Sequence, residues 1–254
     1  MRSDNLVSER VGKVSINNHG SIMKVVEYIN SNNIIVKFEK GEPVYTNWYH
    51  FTNGTIKHPY DKTVHGVGYL GEGNCSPNEN GKNSVLYKTW QVMFQRCYSE
   101  NYQKNQPTYI GCTVIEDWHN FQNFAKWYDE NYYEVEGERM QLDKDILIKG
   151  NKVYSPDACV FVPQRINTLF VKTNSKRGDL PIGVSKERNK YLARCQNGRD
   201  GLKRIGLYKT KQEAFHAYKE YKEHMIKDIA KEYKEKIPRI LYDALMSYRV
   251  DIND

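Results

Sequence analysis

The sequence predicts an α+β chain of three consecutive segments, and three patterns lead to that class. Short β-branched runs broken by an Asn-rich turn fill the first third. Two aromatic stripes at helical spacing occupy the middle, and three short strands followed by a capped helix close the chain. The segments span residues 1–72, 84–172 and 176–254 of the 254.

In the first segment, "SIMKVVEYINSNNIIVKFEKG" alternates β-branched runs around Asn30, Ser31, Asn32 and Asn33, the signature of a hairpin. "GKVSINNHGS" before it and "NWYHFTNGTIKHP" after it add turn signals and aromatic strands, so a small antiparallel β domain is expected. "GVGYLGEGN", with Gly66, Gly68, Gly71 and Gly73, reads as a flexible exit. Its GVGYLG string lacks the βαβ context a dinucleotide loop requires.

The second segment opens on "SVLYKTWQVMFQRCYSE", where Leu86, Trp90, Met93, Phe94 and Cys97 recur every three to four residues, an amphipathic helix. "DWHNFQNFAKWYDENYY" repeats the pattern with Trp118, Phe121, Phe124, Ala125 and Tyr128, and Asp117 is the expected cap. Aromatic stripes of this kind pack cores. The stretch "QLDKDILIKGNKVYSPDACVFVPQRINTLF" then reads as strand, turn, strand and short helix. Period-two alternation puts Leu142, Lys144 and Ile146 on one face and Asp143 and Asp145 on the other. "KGN" supplies the turn and "ACVFV" the second strand. Pro163 suits the first turn of a helix carrying Arg165, Ile166, Asn167 and Phe170.

The third segment contains three strands, in "PIGVSKER", "KYLARCQNG" and "LKRIGLYKT", with turns at Arg188–Asn189 and at Asn197–Gly198 through Gly201. Thr210 and Glu213 form a capping box. The helix beyond places Ala214, Ala217, Tyr218, Tyr221, Met225 and Ile229 on one stripe, which covers one sheet face and leaves the other to Arg and Lys. "IPRILYDALMSYRV" reads as one more short helix.

The formal net charge is +7. Between Lys176 and Thr210 ten Lys/Arg stand against Asp179, Glu187 and Asp200, a local net of +7 that equals the excess of the whole chain. So focused a patch calls for a polyanion, nucleic acid first of all. No apolar run approaches the roughly 18 residues of a membrane span, and "MRSDNLVSER" has no signal core, so the expectation is a cytoplasmic protein without a membrane partner. Cys75, Cys97, Cys112, Cys159 and Cys195 are odd in number, widely spaced and without a CxxC pair. Buried thiols are therefore favoured over disulfides, and over a structural Zn²⁺ held by Cys97, Cys112, Cys159 and His119.

The strand–strand–strand–helix of Pro181 to Tyr233 resembles the DNA-binding domain of plant ethylene-response factors, a module also found in phage and mobile-element proteins. The match runs through Gly183, Val184, Tyr191, Ala193, Gly206, Tyr208, Thr210, Glu213, Ala214, Ala217 and Tyr218. The resemblance implies a sheet lying in the major groove of double-stranded DNA, with Arg188, Lys190, Arg194, Lys203 and Arg204 facing it. A narrow ribbon fits a groove roughly 12 Å wide, and most such side chains would contact phosphate.

Upstream, "YKTWQVMFQRCYSE…YIGCTVIEDWHNFQNFAKW…LDKDI…GNKVYSPDACVFVPQRIN" resembles phage HNH-type (His-Me finger) homing endonucleases carrying such a domain. The two resemblances together cover roughly residues 84–236, and the first segment is similar to a small β module preceding some of these proteins. The resemblance implies a ββα-metal finger in which Asp143 and Asn167 bind one divalent metal, Mg²⁺ or Mn²⁺, against the scissile phosphate. A His beside the first ligand would activate water. Here that position holds Lys144, whose amine type titrates near ~10.4, and Ala158 occupies the place of a structural Asn. None of the seven histidines lies between His119 and His216, so Asp145, His119 or Lys144 itself would have to substitute. Two readings follow: a metal-dependent DNA endonuclease with Asp143, Lys144, Asp145 and Asn167 at its site, or an inactive DNA-binding or regulatory protein with a degenerate finger. Basic sheet faces with exposed tyrosines also suit RNA.

Overall fold

A computed structural model describes residues 7–171, 178–196, 201–252 and 254. Lys176, Arg177, Arg199 and Asp200 of the basic stretch, and the Asn197–Gly198 turn, lie outside them. The fold is α+β, with a four-stranded and a three-stranded antiparallel sheet. Among the described residues no helix is long and apolar enough to cross a membrane.

The chain forms two compact units, Met1–Glu130 with Val153–Ser155, and Asn131–Lys152 with Pro156–Asp254. In the first, strands β1 (Val14–Ile16), β2 (Ile22–Asn30), β3 (Asn33–Phe38) and β4 (Val44–Thr46) pair in that order. The Asn30–Asn33 hairpin falls where the sequence predicts it. Met23, Val25, Tyr28, Ile34, Val36 and Phe38 alternate inward onto Phe51 and Ile56. Helix α1 (Trp48–Thr52) is capped by Asn47.

Helix α2 (Val85–Tyr98), capped by Ser84, buries Trp90, Met93, Phe94 and Cys97 as its stripe requires. After α3 (Glu100–Asn105), helix α4 (Phe121–Asn131) buries Phe121, Phe124, Ala125, Trp127 and Tyr128. Asp117 does not cap it. A 3₁₀ turn at Glu116–His119 intervenes, and Asp117 Oδ1 accepts from Asn123 Nδ2 at 2.8 Å. The glycine-rich stretch is not a flexible exit. Tyr69 N–H donates to the His119 carbonyl, Phe121 N–H donates to the Tyr69 carbonyl, and a Cβ at Gly68 would lie 2.9 Å from the Trp90 ring. Those glycines let backbone and rings approach closely. Short strands β5 (Asn78–Glu79) and β6 (Lys82–Asn83) form a hairpin before α2.

Strand β7 (Thr113–Val114) pairs in parallel with β9 (Val153–Tyr154). Tyr154, 1% exposed, anchors that pairing, and its hydroxyl accepts from Arg96 Nη1 at 3.4 Å.

In the second unit, β8 (Met140–Asp143) and β10 (Val160–Pro163) pair antiparallel, from Met140 against Pro163 to Asp143 against Val160. Helix α5 (Gln164–Thr168) follows, with Pro163 as its N-cap residue. The predicted order is thus strand, strand, helix, but "KGN" does not close a tight hairpin: residues 144–159 separate the strands, and β9 lies within them. Strands β11 (Val184–Glu187), β12 (Lys190–Gln196) and β13 (Leu202–Tyr208) form the second sheet in sequence order.

Helix α6 (Lys211–Glu232) starts on the predicted capping box, with Thr210 and Glu213 bonding both ways. Its buried stripe is Ala214, Phe215, Tyr218, Lys222, Ile226, Ile229 and Ala230, rotated from the predicted one at Phe215, Lys222 and Ile226. The rotation arises because α6 serves two cores. Ala214, Phe215 and Tyr218 pack on Val184, Ala193 and Cys195 of the sheet. Ile226, Ile229 and Ala230 pack on Val160, Val162 and Ile166 together with Leu241 and Leu245 of α7 (Arg239–Ser247). That sharing joins residues after 156 to the C-terminal module, so the unit boundaries differ from the three segments the sequence suggests.

Candidate functional site

Two places carry the residues singled out by the sequence. The first is the face of the β11–β13 sheet that α6 leaves uncovered. Register assigns every side chain to a face. Val184, Ala193 and Gly206 form one inward row, and Cys195 with its neighbour Lys203 forms another. Lys190 opposite Glu187, Ser185 beside Leu192 and Leu207, Arg194 opposite Arg204, and Gln196 opposite Leu202 therefore look outward. Lys190, Arg194 and Arg204 are exposed on this face, and Arg188 is exposed in the β11–β12 turn at φ 52°.

Lys203 is exposed but belongs to the Cys195 row, on the helix side. The cause is a bulge: the pairing passes from Ala193–Gly206 to Arg194–Arg204 and skips Ile205, which turns into the sheet–helix core. A bulge leaves no strong mark in sequence, and strict alternation cannot foresee the swap.

The same face holds an acid that the charge count includes but that was not among the predicted site residues. Glu187 takes Arg204 in a two-pronged ion pair, Nη2 to Oε1 at 2.8 Å and Nη1 to Oε2 at 3.1 Å. The Arg204 hydrogen bonds hold the Glu187 carboxyl below its usual range. Its position opposite Lys190 follows from the hairpin pattern, so alternation from the Arg188–Asn189 turn was the signal that could have found it.

The second place lies at the end of β8. Asp143 is half-buried, and its Oδ1 accepts the backbone N–H groups of Asp145 and Ile146, each at 2.8 Å. This turn drives Ile146 into the core. Burial first, then the neighbouring Asp145 charge, pushes the Asp143 carboxyl up to about 6 against the pull of those two amides.

Lys144 is buried at 6% exposure. Its Nζ donates to the Asn151 carbonyl at 2.9 Å and pairs with Asp145 Oδ2 at 3.3 Å, while Asn151 Nδ2 donates to the Lys144 carbonyl at 2.7 Å. An ammonium so engaged closes the 144–151 loop.

Asn167 lies on α5, half-buried, and its carbonyl accepts from Phe170 N–H. Arg165 beside it fixes the helix to α6, with Nη1 on Glu232 Oε2 at 2.8 Å and the guanidinium over the Tyr233 ring. The strand–strand–helix unit brings Asp143, Lys144, Asp145 and Asn167 into one substructure, yet among the described residues no hydrogen bond links the Asn167 side chain to Asp143. Ala158 is buried as packing. His119 belongs to the other unit, where its Nε2 contacts the Val114 carbonyl at 3.1 Å.

Among the described residues no group of three or more His, Cys, Asp or Glu is arranged to hold a metal ion. All five cysteines are free thiols, and four of them are buried. No family model matches the chain, and neither a curated protein nor a solved structure does so significantly.

Proposed function

We propose that the protein binds double-stranded DNA through the outward face of β11–β13. One observation carries this reading: Lys190, Arg194 and Arg204 share a single exposed sheet face, while α6 packs on the other. A three-stranded ribbon is narrow enough for the major groove, Arg is the side chain best shaped for guanine edges, and Ser185 and Gln196 add polar contacts. The local charge excess supplies the affinity for phosphate, in the manner of the ethylene-response-factor module the sequence resembles.

The strand–strand–helix unit is read as an HNH-like finger retained for structure. Lys144, in the position of the general base, is buried and engaged by Asn151 and Asp145. Asp143 and Asp145 are oxygen donors of the kind Mg²⁺ or Mn²⁺ takes, but Asp143 Oδ1 already accepts two amides. The fit to a metal centre is therefore incomplete.

A second reading, the metal-dependent endonuclease, is favoured by the raised Asp143 carboxyl beside Asp145, a pair whose repulsion a divalent cation would relieve. Mobility shift with duplex DNA and single-stranded RNA, followed by plasmid nicking in Mg²⁺ or Mn²⁺, tests both. Duplex binding lost in Arg194→Ala supports the interface, and equal binding by that variant rejects it. Nicking by the wild type and not by Asp143→Ala would establish the endonuclease in place of the structural finger.

A further inference from the structure

The second unit contains a cavity of about 740 Å³ beside the inner edge of the β11–β13 sheet. Its walls are the chain after α5, the start of β11, the end of β12, α6 and the segment after α7. A volume of this size is typical of small-molecule sites. One feature distinguishes it from a packing defect: Lys222 of α6 lines it at 7% exposure. Nowhere in the structure does that amine make a hydrogen bond or an ion pair with another described residue.

The Lys222 side chain is buried and its amine has no acceptor among the described residues, so an anion entering the cavity would meet an unpaired cation. The other polar groups in the wall favour the same sign of ligand. Lys186 adds a second cation, while Cys195, Tyr218 and Tyr248 are neutral in their ordinary state. Asp254, the carboxylate among the described lining residues, is taken up by Lys149 at 2.8 Å. Leu169, Val171, Ile182, Leu202 and Val250 make the remainder apolar.

We propose that this cavity binds a small amphipathic organic anion, its charged head on Lys222 Nζ and its apolar body against the Leu169, Ile182 and Val250 wall. Such a ligand would replace the missing counter-ion and fill the apolar volume at once. Burial holds the Lys222 amine below its usual range, with Cys195 pulling the other way, and a bound anion would raise it again.

The test uses the whole protein and two fluorescent probes, anilinonaphthalene sulfonate and its uncharged relative N-phenylnaphthylamine. The sulfonate is expected to bind at one saturable site, about tenfold more tightly than the uncharged probe. Lys222→Met should bring the sulfonate down to the level of the uncharged probe and leave the latter unchanged. Equal affinity of both probes for the wild type, or a sulfonate affinity unmoved by Lys222→Met, overturns the proposal. Should that variant fail to fold, the wild type decides. Sulfonate binding must weaken as pH rises toward the ordinary lysine range while uncharged binding holds, and a flat profile for both probes sinks the site.

Discussion

Lys144 and Asn151 hold each other across the connection between β8 and β10, the Lys144 amine on the Asn151 carbonyl and the Asn151 amide on the Lys144 carbonyl. Two residues seven apart thus close the loop that a hairpin turn would close in a shorter finger. The Lys144 side chain is thereby committed as a brace across that loop.

A brace is detected by its removal. Lys144→Met leaves the Asn151 carbonyl without its donor and Asp145 without its ion pair. Asn151→Ala removes the return bond. Each is expected to cost about 1–3 kcal/mol, read as a lower midpoint in urea denaturation with an unchanged slope. An unchanged midpoint for both variants would show that the loop holds without them.

The bulge at Ile205 separates two basic neighbours. Arg194→Ala should weaken duplex binding and reduce the salt slope by about 1. Lys203→Ala, on the Cys195 row, should change both by less. Affinity measured over a salt series checks the order, and a larger loss from Lys203→Ala would reverse the assignment of faces.

Glu187 holds Arg204, so on the proposed interface it would compete with DNA for that guanidinium. Glu187→Gln removes a negative charge from the proposed interface and frees the guanidinium fork, so duplex affinity should rise a few-fold at low salt. A double variant with Arg204→Ala should lose most of that gain. Exposed pairs contribute little to stability, so the midpoint of unfolding should move by less than about 0.5 kcal/mol.

The carboxyl of Asp143 is raised to about 6 from an ordinary value of 3.8. Between those values the folded protein binds more protons than the unfolded chain, so this group makes stability fall as pH rises through the window. Asp143→Asn should flatten the slope between pH 4 and 6. If the carboxylates take a divalent cation, Mn²⁺ should raise the thermal midpoint above pH 6 in the wild type and not in the variant.

For Lys222 the sign is opposite in origin. Its amine is lowered, so from that lowered value up to 10.5 the unfolded chain binds more protons and stability rises with pH. Lys222→Met should remove the slope and stabilise the protein near neutrality by about 1 kcal/mol, or about 2–4 °C in thermal midpoint.

Much of this architecture was legible in sequence because the signals were local. The Asn30–Asn33 turn, the Ser84-capped α2 stripe, the Thr210–Glu213 box and all three C-terminal strands follow from spacing within a dozen residues. Even the burial of Lys144 was foreshadowed, since period two puts it on the row of Leu142 and Ile146. What could not be read was non-local. The pairing of β9 with β7 depends on a partner forty residues away in the chain, the packing of Gly68 on Trp90 joins two segments, and the rotated stripe of α6 reflects a second core that sequence periodicity cannot see.

That second core gives α6 the role of a ruler. Its 22 residues span about 33 Å, with the sheet seated near Phe215 and the β8–β10 strands near Ile229, roughly 20 Å further along one uninterrupted rod. Distance along such a rod does not fluctuate as it would along a linker. If the sheet binds DNA as proposed, any contact made at the Asp143 end would be phased against the footprint of the sheet, at one offset in base pairs.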